Sequence, residues 1–171
     1  VFDFIWLAAD QVANAAMMHF VSGGQVSVPI VFRGPCGFGT GFGVTHTQHL
    51  EAVFCSRPGL KVVYPSTPWD AKGLLTSAIR DPNPVIFIEE STLYYQKGPL
   101  PEDGESIPLG SARVAVEGED LTIISAGRAL AVCEEAIGEL ESLGIAAELI
   151  DLRTLKPLDL ATLCASVQKT G

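Results

Sequence analysis

The stretch from Lys61 to Ile88 leaves this chain few folds to choose from. Lys61-Val62-Val63-Tyr64 is a short apolar run of strand formers. Pro65-Ser66-Thr67-Pro68 follows as a turn, with Thr67 placed to cap a helix and Pro68 at its first position. A helix is predicted over Pro68 to Arg80, and Asp81-Pro82-Asn83-Pro84 stops it. Val85-Ile86-Phe87-Ile88 is a second buried strand. A strand, a helix and a strand in this order join as parallel neighbours with the helix across one face. Such strands are apolar throughout because both of their faces are covered.

The same alternation extends in both directions. Asp3 to Val21 has apolar residues near helical spacing, and Ser22-Gly23-Gly24 ends it. Val28 to Phe32 reads as a strand opened by Pro29, and Thr47 to Cys55 as a short helix. Residues 97–108 hold three prolines, two glycines and a group of acids, the composition of a linker. Beyond them a strand is predicted over Asp120 to Ser125, a helix over Ala129 to Leu143, a strand over Ile145 to Leu152 and a helix over Asp159 to Gln168. The class is α/β, in two units over residues 1–96 and 109–171. Two strands and two helices cannot cover both faces of a sheet, so the second unit is expected to be partial, and the start at Val1 suggests that the first is truncated too.

Charge narrows the function. Lys and Arg number 11 against 20 Asp and Glu, a net charge of −9. This disfavours nucleic acid and anionic membranes as partners. No run of about 20 apolar residues is present, so no membrane span is expected. Residues 1–50 carry only Asp3, Asp10 and Arg33 as formal charges, which suits a domain core, a subunit interface or a ligand cleft. Cys36, Cys55, Cys133 and Cys164 form no C-x-x-C pair, and reduced, mostly buried thiols in a reducing compartment are expected, with Cys36 the most exposed.

The residues able to carry chemistry lie early. Residues 34–45 hold five glycines, which let a backbone approach a ligand closely. They match neither a dinucleotide fingerprint nor a P-loop. His46 follows, at the expected loop–helix junction, where an imidazole can bind a carboxylate or act as acid–base, or simply cap the helix. His46 and His49 have i, i+3 spacing, but no third metal ligand stands near them in sequence. Arg33 ends a strand and either binds an anion or pairs with Asp3, Asp10 or Glu51.

Gly23-Gly24-Gln25-Val26-Ser27-Val28-Pro29-Ile30-Val31-Phe32-Arg33-Gly34-Pro35 closely resembles the beta subunits of pyruvate dehydrogenase's decarboxylating component. So do Pro58-Gly59-Leu60-Lys61-Val62-Val63, Asp70 to Leu75, Ala78-Ile79-Arg80-Asp81 and Ile150 to Asp159. The resemblance spans nearly the whole chain and is specific to the 2-oxoacid dehydrogenase branch of the transketolase-like thiamine diphosphate enzymes. It implies a pyrimidine-binding domain with a parallel sheet, then part of a transketolase C-terminal-like α/β domain. The implied activity is oxidative decarboxylation of pyruvate with acyl transfer to lipoamide. The implied partners are an alpha subunit that holds the cofactor's diphosphate and magnesium, a second beta subunit in a heterotetramer, and a lipoyl-bearing acyltransferase. A bacterial cytoplasm, or a mitochondrial matrix or plastid, is the implied compartment.

The family's Phe-x-Phe motif falls on Phe2-Asp3-Phe4, which gives Phe4 the cofactor's aminopyrimidine ring. Its active-site histidine falls on His46, within Thr45-His46-Thr47-Gln48. The family's potassium site, built from backbone carbonyls, maps to Ile30, Ala78, Asp81 and Asn83. His49 has no counterpart with a role. Glu51, Glu89 and Glu90 do not match the motif of the family's cofactor-activating glutamate, which would lie upstream, so the isolated chain is expected to be inactive. Segment 14–24 is one residue shorter than the family's helix, and Ser56 stands where many relatives carry a second histidine. The alternatives are a branched-chain oxoacid or acetoin dehydrogenase beta subunit, or a non-catalytic α/β assembly fragment.

Overall fold

The computed structural model describes residues 1–37 and 41–171. Its first sheet contains β1 (Val31–Cys36), β2 (Lys61–Val63), β3 (Val85–Glu90) and β7 (Thr154–Lys156), in the order β1-β3-β2-β7. β1 and β2 both run parallel to β3, and β7 is antiparallel to β2. Side chains alternate across this sheet. Val62, Ile86 and Ile88 face Phe2, Val12, Ala16, Leu50 and Phe54, beneath α1 (Ala9–Val21) and α2 (Glu51–Cys55). Val63, Val85 and Phe87 face Leu74, Ala78 and Ile107, beneath α3 (Pro68–Arg80). Both faces are covered, as apolar parallel strands require.

The helix α3 has the predicted bounds because its punctuation is strong. Thr67 Oγ1 accepts the Asp70 N–H at 3.1 Å, and Pro68 opens the first turn. Residues 97–108 contain neither strand nor helix, yet they lie tied along α3. The Ile107 N–H donates to the Gly73 carbonyl at 3.1 Å, and Lys72 Nζ reaches the Pro101 carbonyl at 2.8 Å.

The second sheet has the order β4-β6-β5, from β4 (Arg113–Val116), β5 (Leu121–Ser125) and β6 (Ala147–Asp151). β5 and β6 are parallel, with α4 (Ala129–Ser142) between them in sequence and α5 (Leu160–Thr170) after β7. Two strands here, β4 and β7, were not expected. β7 leaves its own unit to extend the first sheet, so residues 109–171 complete an edge begun by residues 61–63.

The N-terminal region departs from expectation in three places. Phe2–Ala8 is a 3-10 helix, and α-helical geometry begins only at Ala9. The predicted strand at Val28 instead begins at Val31 and continues through Gly34-Pro35 to Cys36. Pro35 is tolerated because β1 is, among the described residues, an edge strand. The predicted helix from Thr47 begins only at Glu51.

Candidate functional site

The sharper winding of residues 2–8 separates neighbouring aromatic side chains. Phe2 is buried and meets the Phe54 ring edge to face, with centroids 5.9 Å apart. Asp3 is also buried, and its Oδ1 accepts the Gln48 N–H at 2.9 Å. Phe4 is left outside, 57% exposed.

That Asp3–Gln48 bond ties the 3-10 helix to the segment carrying His46. His46 does not open a helix, since α2 begins only at Glu51. It sits in a turn closed by its own N–H on the Gly43 carbonyl at 3.1 Å, with Gly43 at φ +81°. Thr47 Oγ1 donates to the same carbonyl at 2.9 Å. The His46 ring meets Phe4 edge to face, centroids 5.1 Å apart and planes 87° apart. Its Nδ1 lies 2.7 Å from Thr45 Oγ1, which leaves Nε2 as the ring nitrogen open to a further partner. Phe4 and His46, far apart in sequence, thus form one contact. Of the glycine-rich loop, residues 38–40 lie outside the described residues.

Ile30, Ala78, Asp81 and Asn83 surround the point where the segment before β1 meets the turn between α3 and β3. The Ile30 carbonyl accepts the Val85 N–H at 2.8 Å, and the Ala78 carbonyl accepts the Asp81 N–H at 3.4 Å. The Asp81 side chain is engaged by Lys61 Nζ at 2.5 Å and by the Asn83 N–H at 2.8 Å. Each carbonyl has a second lone pair, so these bonds leave it able to coordinate a hard cation.

Two expectations are corrected. Arg33 pairs with Glu89 at 2.6 Å, not with Asp3, Asp10 or Glu51, because β1 and β3 run side by side. Cys36 is buried at 3% exposure, and Cys164 is the exposed cysteine. Burial, reinforced by the Glu90, Glu51, Asp3 and Glu89 carboxylates, pushes the Cys36 thiol far above its ordinary range. Sequence reading also missed what surrounds it: Glu90 and His49 both bring ligand atoms close to the sulfur.

A second polar cluster closes the junction between the sheets. Asp151, fully buried, accepts the Ser66 hydroxyl at 2.9 Å, the Arg153 N–H at 3.2 Å and an Arg113 N–H at 3.2 Å. Ser66 Oγ in turn accepts the Gly127 N–H at 2.8 Å. Arg153 Nε lies 2.9 Å from Asp70 Oδ1 as an ion pair without hydrogen-bond alignment. Burial raises the Asp151 carboxyl and lowers the Arg153 guanidinium from their ordinary values.

Residues 1–97 match the transketolase pyrimidine-binding domain, and residues 110–171 match the transketolase C-terminal domain. The chain is 48% identical to the pyruvate dehydrogenase E1 component subunit beta of Rhizobium meliloti, over 99% of this chain and 37% of that protein. It is 46% identical to the Bacillus subtilis subunit of the same name, over 99% of this chain and 53% of that one. The beta subunit of acetoin:2,6-dichlorophenolindophenol oxidoreductase from Cupriavidus necator is 44% identical, over 99% of this chain and 50% of that one. The chain spans between about a third and a half of the length of these relatives. Among solved structures, a split-gene transketolase described as an inactive beta4 tetramer shares the fold with a TM-score of 0.68 at 24% identity, over 94% of this chain and 53% of that one. A Pichia stipitis transketolase variant gives 0.72 at 23%, over 96% and 24%. The chain therefore belongs to the transketolase-like family, with a pyrimidine-binding domain followed by C-terminal-domain sequence, and is similar throughout to pyruvate dehydrogenase E1 beta subunits.

Proposed function

We propose that the chain is part of the beta subunit of a thiamine diphosphate-dependent 2-oxoacid dehydrogenase acting on pyruvate, with acyl transfer to lipoamide. The observation that carries this reading is the Phe4–His46 contact. An aromatic face open to solvent beside an imidazole with one uncommitted nitrogen fits a planar heteroaromatic ring and a reacting carboxylate. When bound, thiamine diphosphate supplies the carbanion chemistry. Phe4 packs on the aminopyrimidine ring. His46 donates from Nε2 to the substrate carboxylate and holds a proton during acyl transfer, while the Thr45 hydroxyl and the Phe4 ring fix its orientation. The turn from Gly43 holds the imidazole in place as helix geometry would not.

In the same reading, an alpha subunit holds the diphosphate and magnesium, and this sequence contains no Gly-Asp-Gly motif of its own. The carbonyls of Ile30, Ala78, Asp81 and Asn83 hold potassium and so brace the start of β1 against the end of α3. Residues 1–96 form the pyrimidine-binding unit, 97–108 the linker and 109–171 the start of the C-terminal unit. The contact face for the alpha subunit and a second beta subunit includes the exposed Leu7, Met18, Phe20 and Val21, apolar groups that water solvates poorly. The lipoyl-bearing acyltransferase receives the acyl group, in a reducing compartment. The isolated chain is inactive on its own.

The test pairs the beta subunit, extended to its relatives' length, with an alpha subunit. Phe4→Ala is expected to weaken thiamine diphosphate binding by about tenfold, the scale of one lost aromatic contact with its buried area. Unchanged cofactor affinity would remove Phe4 from the site. Comparing pyruvate, a branched-chain 2-oxoacid and acetoin as substrates decides the acyl group.

A further inference from the structure

We propose that Cys36, His49 and Glu90 form a zinc-binding site at the carboxyl ends of β1 and β3. Cys36 and Glu90 are the last residues of those strands and are partners in register, so the two side chains stand side by side on one face of the sheet. His49 enters from the loop before α2, anchored by the buried Leu50. One ligand atom from each of the three residues lies within 4.8 Å of the others. An ion among them would draw each atom in to about 2.0–2.3 Å, the range of Zn–N, Zn–O and Zn–S bonds.

Three features go beyond proximity. First, two of the ligands are already oriented by a second partner, as metal ligands usually are. His49 Nδ1 bonds Glu51 Oε1 at 2.8 Å, which fixes the imidazole ring. The Tyr64 hydroxyl donates to Glu90 Oε2 at 2.6 Å, while Oε1 meets only a long contact of 3.4 Å from the Thr92 hydroxyl, weak enough for an ion to replace. Second, room is kept for that oxygen. A Cβ on Gly37 would stand 1.9 Å from Glu90 Oε1, and Gly37 has φ +93°, so only glycine accommodates both the turn and the carboxylate. Third, four carboxylates act on the buried Cys36 sulfur: Glu90, Glu51, Asp3 and Glu89. A divalent cation reverses that field.

The donor set of one sulfur, one nitrogen and one oxygen selects zinc over magnesium or calcium, which take oxygen alone. It also differs in chemistry and in residues from the all-carbonyl potassium site. On binding, the Cys36 S–H bond breaks, its proton passes to solvent and a Zn–S bond forms. Three protein ligands leave the fourth tetrahedral position to water.

The test uses the 171-residue chain stripped of metal by a chelator, then titrated with Zn²⁺ alone against a competing chelator. Co²⁺ serves as the spectroscopic stand-in. One zinc per chain is expected, and the cobalt form should show thiolate-to-metal charge transfer. Cys36→Ser should abolish that charge transfer and weaken zinc by about 100-fold, and His49→Ala by at least about tenfold. Glu51→Gln should cost about tenfold through His49. His49 and Glu51 lie near the surface, so their variants report on binding even if a change at buried Cys36 disturbs folding. Cys164→Ser should leave the affinity unchanged. Less than one zinc per chain, or zinc insensitive to both Cys36→Ser and His49→Ala, would overturn the proposal.

Discussion

The two sheets end differently. The carboxyl ends of β1 and β3 open onto a turn-rich segment that carries His46 and His49, with the exposed Phe4 ring beside it. The carboxyl ends of β5 and β6 are sealed. Asp151 has no exposed surface, and Ser66, Arg113 and Arg153 satisfy it. Ligands in open α/β sheets bind at strand carboxyl ends. That rule marks both ends equally. What separates them is whether the polar groups there are already used. At the sealed end they join two units; at the open end His46 Nε2 remains to be engaged.

Removing the central acid of the sealed end should give the largest effect. Asp151→Ala takes the acceptor from the Ser66 hydroxyl, from the Arg153 backbone N–H and from the partly exposed Arg113 guanidinium. A loss of about 2–4 kcal/mol is expected, since the buried Ser66 hydroxyl and the Arg153 N–H each lose their acceptor at about 1–3 kcal/mol apiece. Urea unfolding at neutral pH measures it. A loss below about 1 kcal/mol would mean that apolar contact, not this network, holds the junction.

His46→Ala probes the open end with the opposite signature. In the alpha-paired enzyme, complex turnover should fall by about 10²-fold, the scale of a positioned acid–base group. Thiamine diphosphate affinity should move far less, since Phe4 carries that contact. Stability should stay within about 0.5 kcal/mol, because the ring is only partly buried and packs edge to face on the exposed Phe4. A large stability loss with little change in turnover would make His46 a structural residue and erase the distinction between the two ends.

The sealed end was less legible in the sequence than the open one. The helix α3 could be read to the residue because Thr67-Pro68 and Asp81-Pro82-Asn83-Pro84 act locally. β7 could not. Thr154–Lys156 is too short for periodicity, and only its pairing with β2, far away in sequence, makes it a strand. Asp151 and Arg153 stood within a recognised motif, but their partners Ser66 and Asp70 lie in the other unit. Cys36 misled for a related reason. Its glycine-rich surroundings suggested exposure, whereas pairing with β3 carries the strand through Gly34-Pro35 and buries the sulfur. Phe4 was named by resemblance and His46 also by its place after the glycine-rich loop, and no spacing rule would have joined them. For His49, local reading sought a third ligand near in sequence, while Cys36 and Glu90 reach it through the sheet.

Thr67→Ala tests the edge of the sealed junction. The hydroxyl caps α3 through the Asp70 N–H and also donates to the Asp70 carboxylate at 2.5 Å, which holds that acid toward Arg153. A loss of about 1–2 kcal/mol is expected, the upper half of the range for a cap. Combining it with Asp151→Ala should give less than the sum of the two, because both loosen one network. Strict additivity, read from the same urea curves, would split the junction into independent contacts.

Asp159→Asn should have the smallest effect and the most specific pH dependence. Asp159 Oδ1 accepts the Thr162 N–H at 3.1 Å and so caps α5, while Oδ2 accepts the Ala112 N–H at 2.9 Å just ahead of β4. Those backbone donors, from Thr162 first and then Ala112, hold its carboxyl below the ordinary 3.8. A depressed folded value means that the ionised group stabilises. Its contribution is complete above about pH 4 and is lost as pH falls from 3.8 through the folded value. Asparagine is an equally good cap but offers one acceptor oxygen, so the Ala112 bond is lost at a cost of about 0.5–1 kcal/mol at neutral pH. Asp151, raised by burial, acts with the opposite sign: its contribution is complete below 3.8 and fades as pH rises through its folded value. The total acid profile therefore mixes the two, and only the difference between parent and variant isolates Asp159. That difference should shrink steadily below pH 4, once protonation deprives the parent of the same charge. A difference that stays constant down to pH 2 would show that Asp159 acts by shape alone, and that charge matters only at the junction between the sheets.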